Sequence, residues 1–368
     1  MFKPARALLF ASLTALLAAS SPSASLPSAS APGDLRRASL PAASADLPLS
    51  IMTYNVMGLP WPVAFGRDEA LGQIADRLAG LRAEGHQPHI VLIQEGFVAD
   101  AAQFAQRAGY AHVAAGPDSM MRSAFPATAN DQAYLRAARW DRGETLNKQL
   151  NSGLIILSDY PIVAVDRIAY PAFACAGFDC LANKGAMIAH LRVPGIDRPV
   201  AVVNTHLNAR KAAGVSIARS LRAFDRQAGL LAGFVARHVP RDRTLLLGGD
   251  LNIGGDAHRI RAFFAHWNRA GLNFVATSLG GSRQAQAQAL LADPADRRDL
   301  DETVLRSKDW TFARAEDGAP MTVAAAQIAF GGPANQRLSD HVGYAIGYAI
   351  GYATPQARPV RFADAGGR

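Results

Sequence analysis

Six apolar runs bounded by turn-forming residues punctuate the chain, at Leu49–Val56, Ile90–Gln94, Gly153–Leu157, Ala186–Arg192, Val200–Asn204 and Thr244–Gly248. Each has the length of a strand. Between them the apolar spacing changes to that of a helix, over Asp68–Glu84, Ala99–Ala108, Ser216–Arg237 and His258–Ala270. Several of the strand runs are continuously apolar, as strands buried on both faces must be. Sheets covered by helices, and so an α/β protein, follow from this alternation. No glycine-rich phosphate loop or dinucleotide fingerprint follows any of the runs.

Near the C-terminus Ala-Ile-Gly-Tyr occurs at 345–348 and again at 349–352. Counted by twos, Val342, Tyr344, Ile346, Tyr348, Ile350 and Tyr352 share one face, and Gly343, Ala345, Gly347, Ala349 and Gly351 the other. The segment predicts a strand with one bulky face that packs into a core.

The N-terminus follows another pattern. Lys3 and Arg6 precede an apolar run from Ala7 to Ala19 and a small-residue stretch ending in Ala29-Ser30-Ala31, which reads as a secretory signal peptide over residues 1–31. The run is too short to span a bilayer comfortably. Residues 32–46 continue an Ala/Ser/Pro-rich leader that cannot bury enough apolar area to offset its ordering entropy. One compact domain is expected over 47–353, with a flexible basic tail over 354–368. The expected location is secreted or periplasmic.

Of the 368 residues 49% are hydrophobic and 18% charged, which excludes a wholly disordered chain. The net charge of +8 suits an anionic partner such as a phosphate ester, nucleic acid or an acidic membrane surface, without choosing among them. The two cysteines, Cys175 and Cys180, are close enough in sequence to close a small loop by a disulfide in an exported protein. Two unpaired thiols are the alternative.

Hard polar groups gather at the carboxyl ends of the apolar runs: Thr53-Tyr54-Asn55, Ile93-Gln94-Glu95, Asn204-Thr205-His206-Leu207-Asn208, Gly249-Asp250-Leu251-Asn252 and, opening the last strand, Ser339-Asp340-His341. Singly, each reads as a cap, a rim charge or a satisfied interior imidazole. Together, carboxylates and amide oxygens make an oxygen-rich site for a hard divalent cation, Mg²⁺ first, with Mn²⁺, Co²⁺ or Ca²⁺ as substitutes. Zinc fits less well, because the chain has no thiolate set and no His-Glu-x-x-His spacing. Asp250 and Asn252, two apart, address one face in extended backbone, and His206 and Asn208 repeat the arrangement.

Through Asn55, Gln94-Glu95, Thr205-His206-Leu207, Gly249-Asp250-Leu251-Asn252 and Ser339-Asp340-His341, in that order, the chain resembles the endonuclease/exonuclease/phosphatase superfamily. It is most similar to the secreted bacterial sphingomyelinase C branch, through Gly58-Leu59-Pro60 after Asn55 and Asn183-Lys184-Gly185 after the cysteine loop. Asn151-Ser152-Gly153-Leu154 before Tyr160-Pro161-Ile162 fits the same pattern. The resemblance implies a deoxyribonuclease I-like fold: α/β, a two-sheet β-sandwich flanked by helices in four layers.

It also implies roles. Glu95 would be the principal metal ligand, with Asn55 and Asp340 beside it. His341 would be the general base and His206 a donor to a phosphoryl oxygen. Asp250 and Asn252 would orient the nucleophile and phosphate, with metal binding or assistance to proton transfer as further roles for Asp250. Asp309, placed by the resemblance on the penultimate strand, would fix the His341 tautomer, with Asp299 and Asp301 as rivals. Asn151, Lys184 and Asn208 would bind substrate.

The expected activity is metal-dependent hydrolysis of sphingomyelin or a related phospholipid by in-line attack of water. A deoxyribonuclease I-like nuclease is the alternative, and a non-catalytic ligand-binding module on the same fold a further one. The basic stretches at Arg136–Arg142, Arg210–Arg226 and Arg297–Arg306 are mostly interleaved as solvated helix faces, which weakens the nucleic-acid reading. Trp61 and Phe65, in a proline-rich stretch after Asn55, are candidate membrane contacts. Nothing in the chain calls for an obligate protein partner.

Overall fold

The computed structural model describes residues 49–272 and 287–349. The signal-peptide, leader and basic-tail readings, and Ile350 and Tyr352 of the C-terminal stripe, lie outside the described residues. Two sheets carry the fold. The first is ordered β10 (Val323–Phe330), β11 (Gly343–Tyr348), β1 (Leu49–Asn55), β2 (Ile90–Gln94), β4 (Ile155–Ser158), β3 (His112–Ala115). The second is ordered β5 (Ile162–Ala169), β6 (Gly185–Leu191), β7 (Val200–His206), β8 (Leu245–Asp250), β9 (Asp309–Arg314).

Residues of alternate parity in each strand feed different cores. Ile51, Leu92 and Ile156 meet Met187, Val202 and Leu246 between the sheets. On the outer face of the first sheet, Met52, Tyr54, Val91 and Ile93 pack under Leu71, Ile74 and Leu78 of α1 (Arg67–Ala83) and Phe104 of α2 (Ala101–Ala108). On the outer face of the second, Val203, Leu245 and Leu247 pack against Phe224 and Leu231 of α4 (Ile217–His238) and Phe263 of α5 (Ala257–Arg269). The result is helix, sheet, sheet, helix: the expected four-layer sandwich. Two further helices, α3 (Ala129–Arg136) and α6 (Pro294–Arg306), lie in the connections.

Among the described strands, β1 with β2 and β7 with β8 pair in parallel and the other pairs are antiparallel. A parallel pair delivers both carboxyl ends to one edge of its sheet, where α/β proteins collect ligands. β1 and β2 therefore bring Asn55 and Glu95 together, and β7 and β8 bring His206 opposite Asp250 in register. Gly249 makes that second pairing fit. Its φ is 145°, and a Cβ there would stand 2.1 Å from the Thr205 carbonyl oxygen.

Several strand limits differ from expectation at this edge. β7 and β8 continue to His206 and Asp250, so both candidates are strand residues rather than loop residues. β4 begins at Ile155 because Gly153 has a φ of 68°, and α2 begins at Ala101 because the Asp100 carboxylate accepts the Gln103 N–H as its cap. Asp309 opens β9, not the penultimate strand, which is β10. Cys175 and Cys180 are joined by a disulfide, with their Cα atoms 5.3 Å apart.

Candidate active site

Four non-glycine residues among those described have left-handed backbone: Met57, Glu95, Asn252 and Ser307. All four adjoin the strand ends that carry the predicted chemistry. Such conformations cost on the order of 1–3 kcal/mol each and persist where surrounding structure enforces them, commonly at functional sites. Here they turn the chain sharply so that side chains from both sheets face one cleft of about 1030 Å³.

At its floor, Asn55 Nδ2 donates to Glu95 Oε1 at 3.0 Å and to Asp250 Oδ2 at 3.1 Å. Its Oδ1 accepts the Met57 N–H at 3.0 Å, so Asn55 holds the two carboxylates rather than offering them an oxygen. His206 Nε2 lies 3.5 Å from Asp250 Oδ2 and 3.9 Å from Glu95 Oε1. On the other side of Asp250, His341 Nε2 is 3.7 Å from the same Oδ2. His341 Nδ1 is 2.7 Å from Asp309 Oδ2, and both side chains are buried. Ser339 Oγ ties this histidine loop to β1 by donating to the Asn55 carbonyl at 2.6 Å.

The electrostatics follow from that packing. Burial raises the Glu95 carboxyl. Burial would also raise Asp250, but His206, His341 and Lys308 hold it well below the usual carboxylate range. Burial works against a charged His341, yet Asp309, Asp250 and Asp340 outweigh it and raise the ring to about 9. His206 goes the other way, to about 3, through burial and the neighbouring Lys184. Lys184 Nζ is 3.1 Å and Asn252 Nδ2 3.2 Å from His206 Nε2. His206 Nδ1, on the far side of the ring, is buried without a hydrogen-bond partner.

This arrangement redistributes several expected roles. Lys184 and Asn252 are further donors beside His206. Glu95, His206 and Asp250 place one ligand atom each within 4.8 Å of one another, whereas the side chain of Asp340 is 56% exposed on the rim, 3.6 Å from Arg306 Nη2. Asp250 thus lies with Glu95 in the cluster, with Asn55 bonded to both carboxylates. One buried and one half-buried carboxylate with one imidazole nitrogen, and a neutral amide between the acids, suit a divalent cation.

Of the substrate candidates, Lys184 lines the cleft. Asn151 does not; its Oδ1 accepts the Gly153 N–H at 2.8 Å and shapes the turn before β4. Asn208 is wholly buried, and its Oδ1 accepts the Ala176 N–H at 2.9 Å. Asp309 prevails over its rivals: Asp299 is engaged by Arg337 and the Gly332 N–H, and Asp301 accepts from Gln288.

Two contributors were not anticipated. Asp179, inside the disulfide loop, accepts from Ala209 N at 2.5 Å and pairs with Lys184 Nζ at 3.0 Å. Arg67 donates to the carbonyls of Val56 at 2.7 Å, Met57 at 2.8 Å and Leu338 at 2.6 Å, joining the loop after Asn55 to the one before Asp340. An acid within a short cysteine loop was a visible signal for the first. An arginine that binds backbone carbonyls leaves no spacing pattern.

A helix-flanked double sheet whose central parallel strands deliver acids and imidazoles to one edge is a deoxyribonuclease I-like sandwich. Residues 52–341 match the model of the Endonuclease/Exonuclease/phosphatase family, and the chain belongs to that family. Among curated proteins, phospholipase C of Staphylococcus aureus is 30% identical over 119 residues, which cover 31% of this chain and 34% of that protein. The match thus spans about a third of the relative's length. Among solved structures, beta toxin from Staphylococcus aureus superposes with a TM-score of 0.55 at 16% identity, covering 81% of this chain and 99% of that one. A mutant of that toxin carries bound magnesium ions. Sphingomyelinase C from Streptomyces griseocarneus gives 0.52 at 20% identity, covering 81% of this chain and 98% of that one.

Proposed function

We propose that the protein is a divalent-metal-dependent phosphodiesterase that hydrolyses a phospholipid, with sphingomyelin as the leading substrate, and that it is exported by the signal peptide at residues 1–31. The observation that carries the reading is the convergence of Glu95, His206 and Asp250 beside the His341–Asp309 pair. Glu95, Asp250 and His206 would hold the cation, which supplies positive charge against the phosphate and offsets the carboxylates that keep His341 protonated. Asp309 fixes the proton on His341 Nδ1, leaving Nε2 to take one from the attacking water. Lys184 and Asn252 donate to the phosphoryl oxygens as charge develops on them.

The walls favour a lipid over a nucleic acid. Met57, Leu59, Pro60, Val63 and Phe97 line one side of the cleft, and from the same loop Trp61 and Phe65 stand 75% and 74% exposed. Exposed aromatics beside a catalytic cleft suit the interfacial region of a bilayer. A nuclease needs cations free to track phosphates. Several of the basic residues at this cleft are already engaged: Arg142 with Asp141, Arg210 with Asp256 and Arg306 with Asp340. The relatives named phospholipase C and sphingomyelinase C support the same choice. The test is release of phosphocholine from sphingomyelin vesicles with added Mg²⁺, abolished by chelator and by His341→Ala. Plasmid nicking without phosphocholine release would transfer the assignment to a nuclease.

A further inference from the structure

Arg259, in the first turn of α5, breaks two rules of stable packing. It is wholly buried, yet no carboxylate among the described residues forms an ion pair with it. It also sits at the positive end of a helix, where a cation is disfavoured. Its guanidinium is instead spent on backbone. Nη1 donates to the carbonyl of Asn208 at 2.7 Å and to that of Asn252 at 2.8 Å. Nη2 reaches the carbonyls of Ala209 at 3.3 Å and Ser220 at 3.4 Å, while the Phe224 ring lies 4.5 Å from the guanidinium carbon. Breaks with local preference of this kind are expected at functional sites, where the compensation is made elsewhere in the structure.

We infer that Arg259 is a positioning residue for the catalytic cleft, locking the loops after β7 and β8 together so that the Asn252 amide is held against His206. Asn252 has a left-handed backbone, with a φ of 48°. Its carbonyl oxygen is the atom Arg259 grips, and its Nδ2 donates to the Leu207 carbonyl at 3.0 Å while facing His206 Nε2 at 3.2 Å. Its N–H is donated to Asp250 Oδ1 at 3.1 Å. One flat, forked cation therefore sets the distance between the loop that follows His206 and the loop that follows Asp250 and carries Asn252. Lysine keeps the charge but offers donors from a single point and cannot span these acceptors.

The kinetic readout of this role rests on the phosphodiesterase reading; a second readout does not. Arg259→Lys and Arg259→Gln are compared in the native background and in Asn252→Ala, using a soluble chromogenic phosphodiester and Mg²⁺. Arg259→Lys is expected to lower kcat by about 10–100-fold with KM changed by less than about threefold, as misplacement near 1 Å does. Because Arg259 acts through Asn252, the same change in Asn252→Ala should cost less than about threefold. Equal losses in both backgrounds, or native kcat in a variant with native melting, overturn the proposal.

Imidazole ¹H–¹⁵N spectra give the independent measure. Arg259→Lys and Asn252→Ala should each shift the His206 ring nitrogens, and the double variant should match Asn252→Ala alone, with His89 and His190 unmoved. An unshifted His206 overturns the proposal. If the native protein hydrolyses no phosphodiester, the function fails and the spectra still decide the positioning role. If neither Arg259 variant melts cooperatively, Arg259 is a folding residue and the proposal is rejected.

Discussion

Replacing Asp309 by asparagine removes one charge from the pair that orients His341 and leaves its shape. The His341 Nδ1 to Asp309 Oδ2 distance is 2.7 Å, and both side chains are at most 4% exposed, so water cannot substitute for the carboxylate. The asparagine carbonyl can still accept the Nδ1–H and keep the tautomer. What disappears is the charge that stabilises the imidazolium formed as the ring takes its proton. A hydrogen bond to a charged group is worth roughly 1.5–3 kcal/mol, which converts to a fall in kcat of about 10–150-fold. Asp309→Ala, which leaves Nδ1 with no acceptor, should fall further. Phosphocholine release under saturating Mg²⁺ measures both, and thermal melts confirm folding. Asp299→Asn is the control: its carboxylate binds Arg337 and the Gly332 N–H, so melting should drop while kcat stays within about threefold of native. A folded Asp309→Asn enzyme with native kcat would refute the assigned role of the pair.

Four further outcomes are expected. Gly249→Ala should give little soluble protein or a melting point lowered by more than 10 °C, roughly the effect of several kcal/mol of backbone clash, because its Cβ would stand 2.1 Å from the Thr205 oxygen; a native melt would contradict the close approach. Asp250→Asn should abolish Mg²⁺ binding by calorimetry and lower the melting point of the metal-free protein, since His206, His341 and Lys308 favour the charged carboxylate in the folded state. Trp61→Ser with Phe65→Ser should cut hydrolysis of vesicles about tenfold or more, through lost apolar insertion, and leave a soluble diester unaffected; parallel losses on both substrates would remove the membrane contact. Cys175→Ser with Cys180→Ser should cost at most roughly 2 kcal/mol of stability, the limit for so short a loop, read by denaturant melts.

How much of this was legible along the chain depends on what each element buries. β1, β2, β7 and β8 are covered on both faces and read as unbroken apolar runs. β5, with Ala164 and Val163 exposed and Asp166 and Arg167 within it, and β10, rich in alanine, offered no comparable signal. Asp293-Pro294, which caps and opens α6, is a local helix-start signal. The candidate acids and imidazoles were visible because each ends or follows a strand. Their partners were not: the meeting of Asp250 with Glu95 through Asn55 depends on side-chain directions across two sheets, and a spacing in sequence carries no such information.

One contact lies deeper than the cleft. Gln94 Nε2 donates to Asn204 Oδ1 at 2.9 Å, and Asn204 Nδ2 donates in turn to the carbonyls of Ile93 at 2.9 Å and Ile155 at 3.0 Å. This amide from the second sheet is thereby sewn into the backbone of the first. Sliding one layer over the other would strand several buried polar groups at a cost of about 1–3 kcal/mol apiece, so the two halves of the reaction centre travel as one rigid block. Admission of a bulky headgroup and departure of product then fall to the mouth segments, and turnover should respond to their mobility rather than to any breathing of the sandwich.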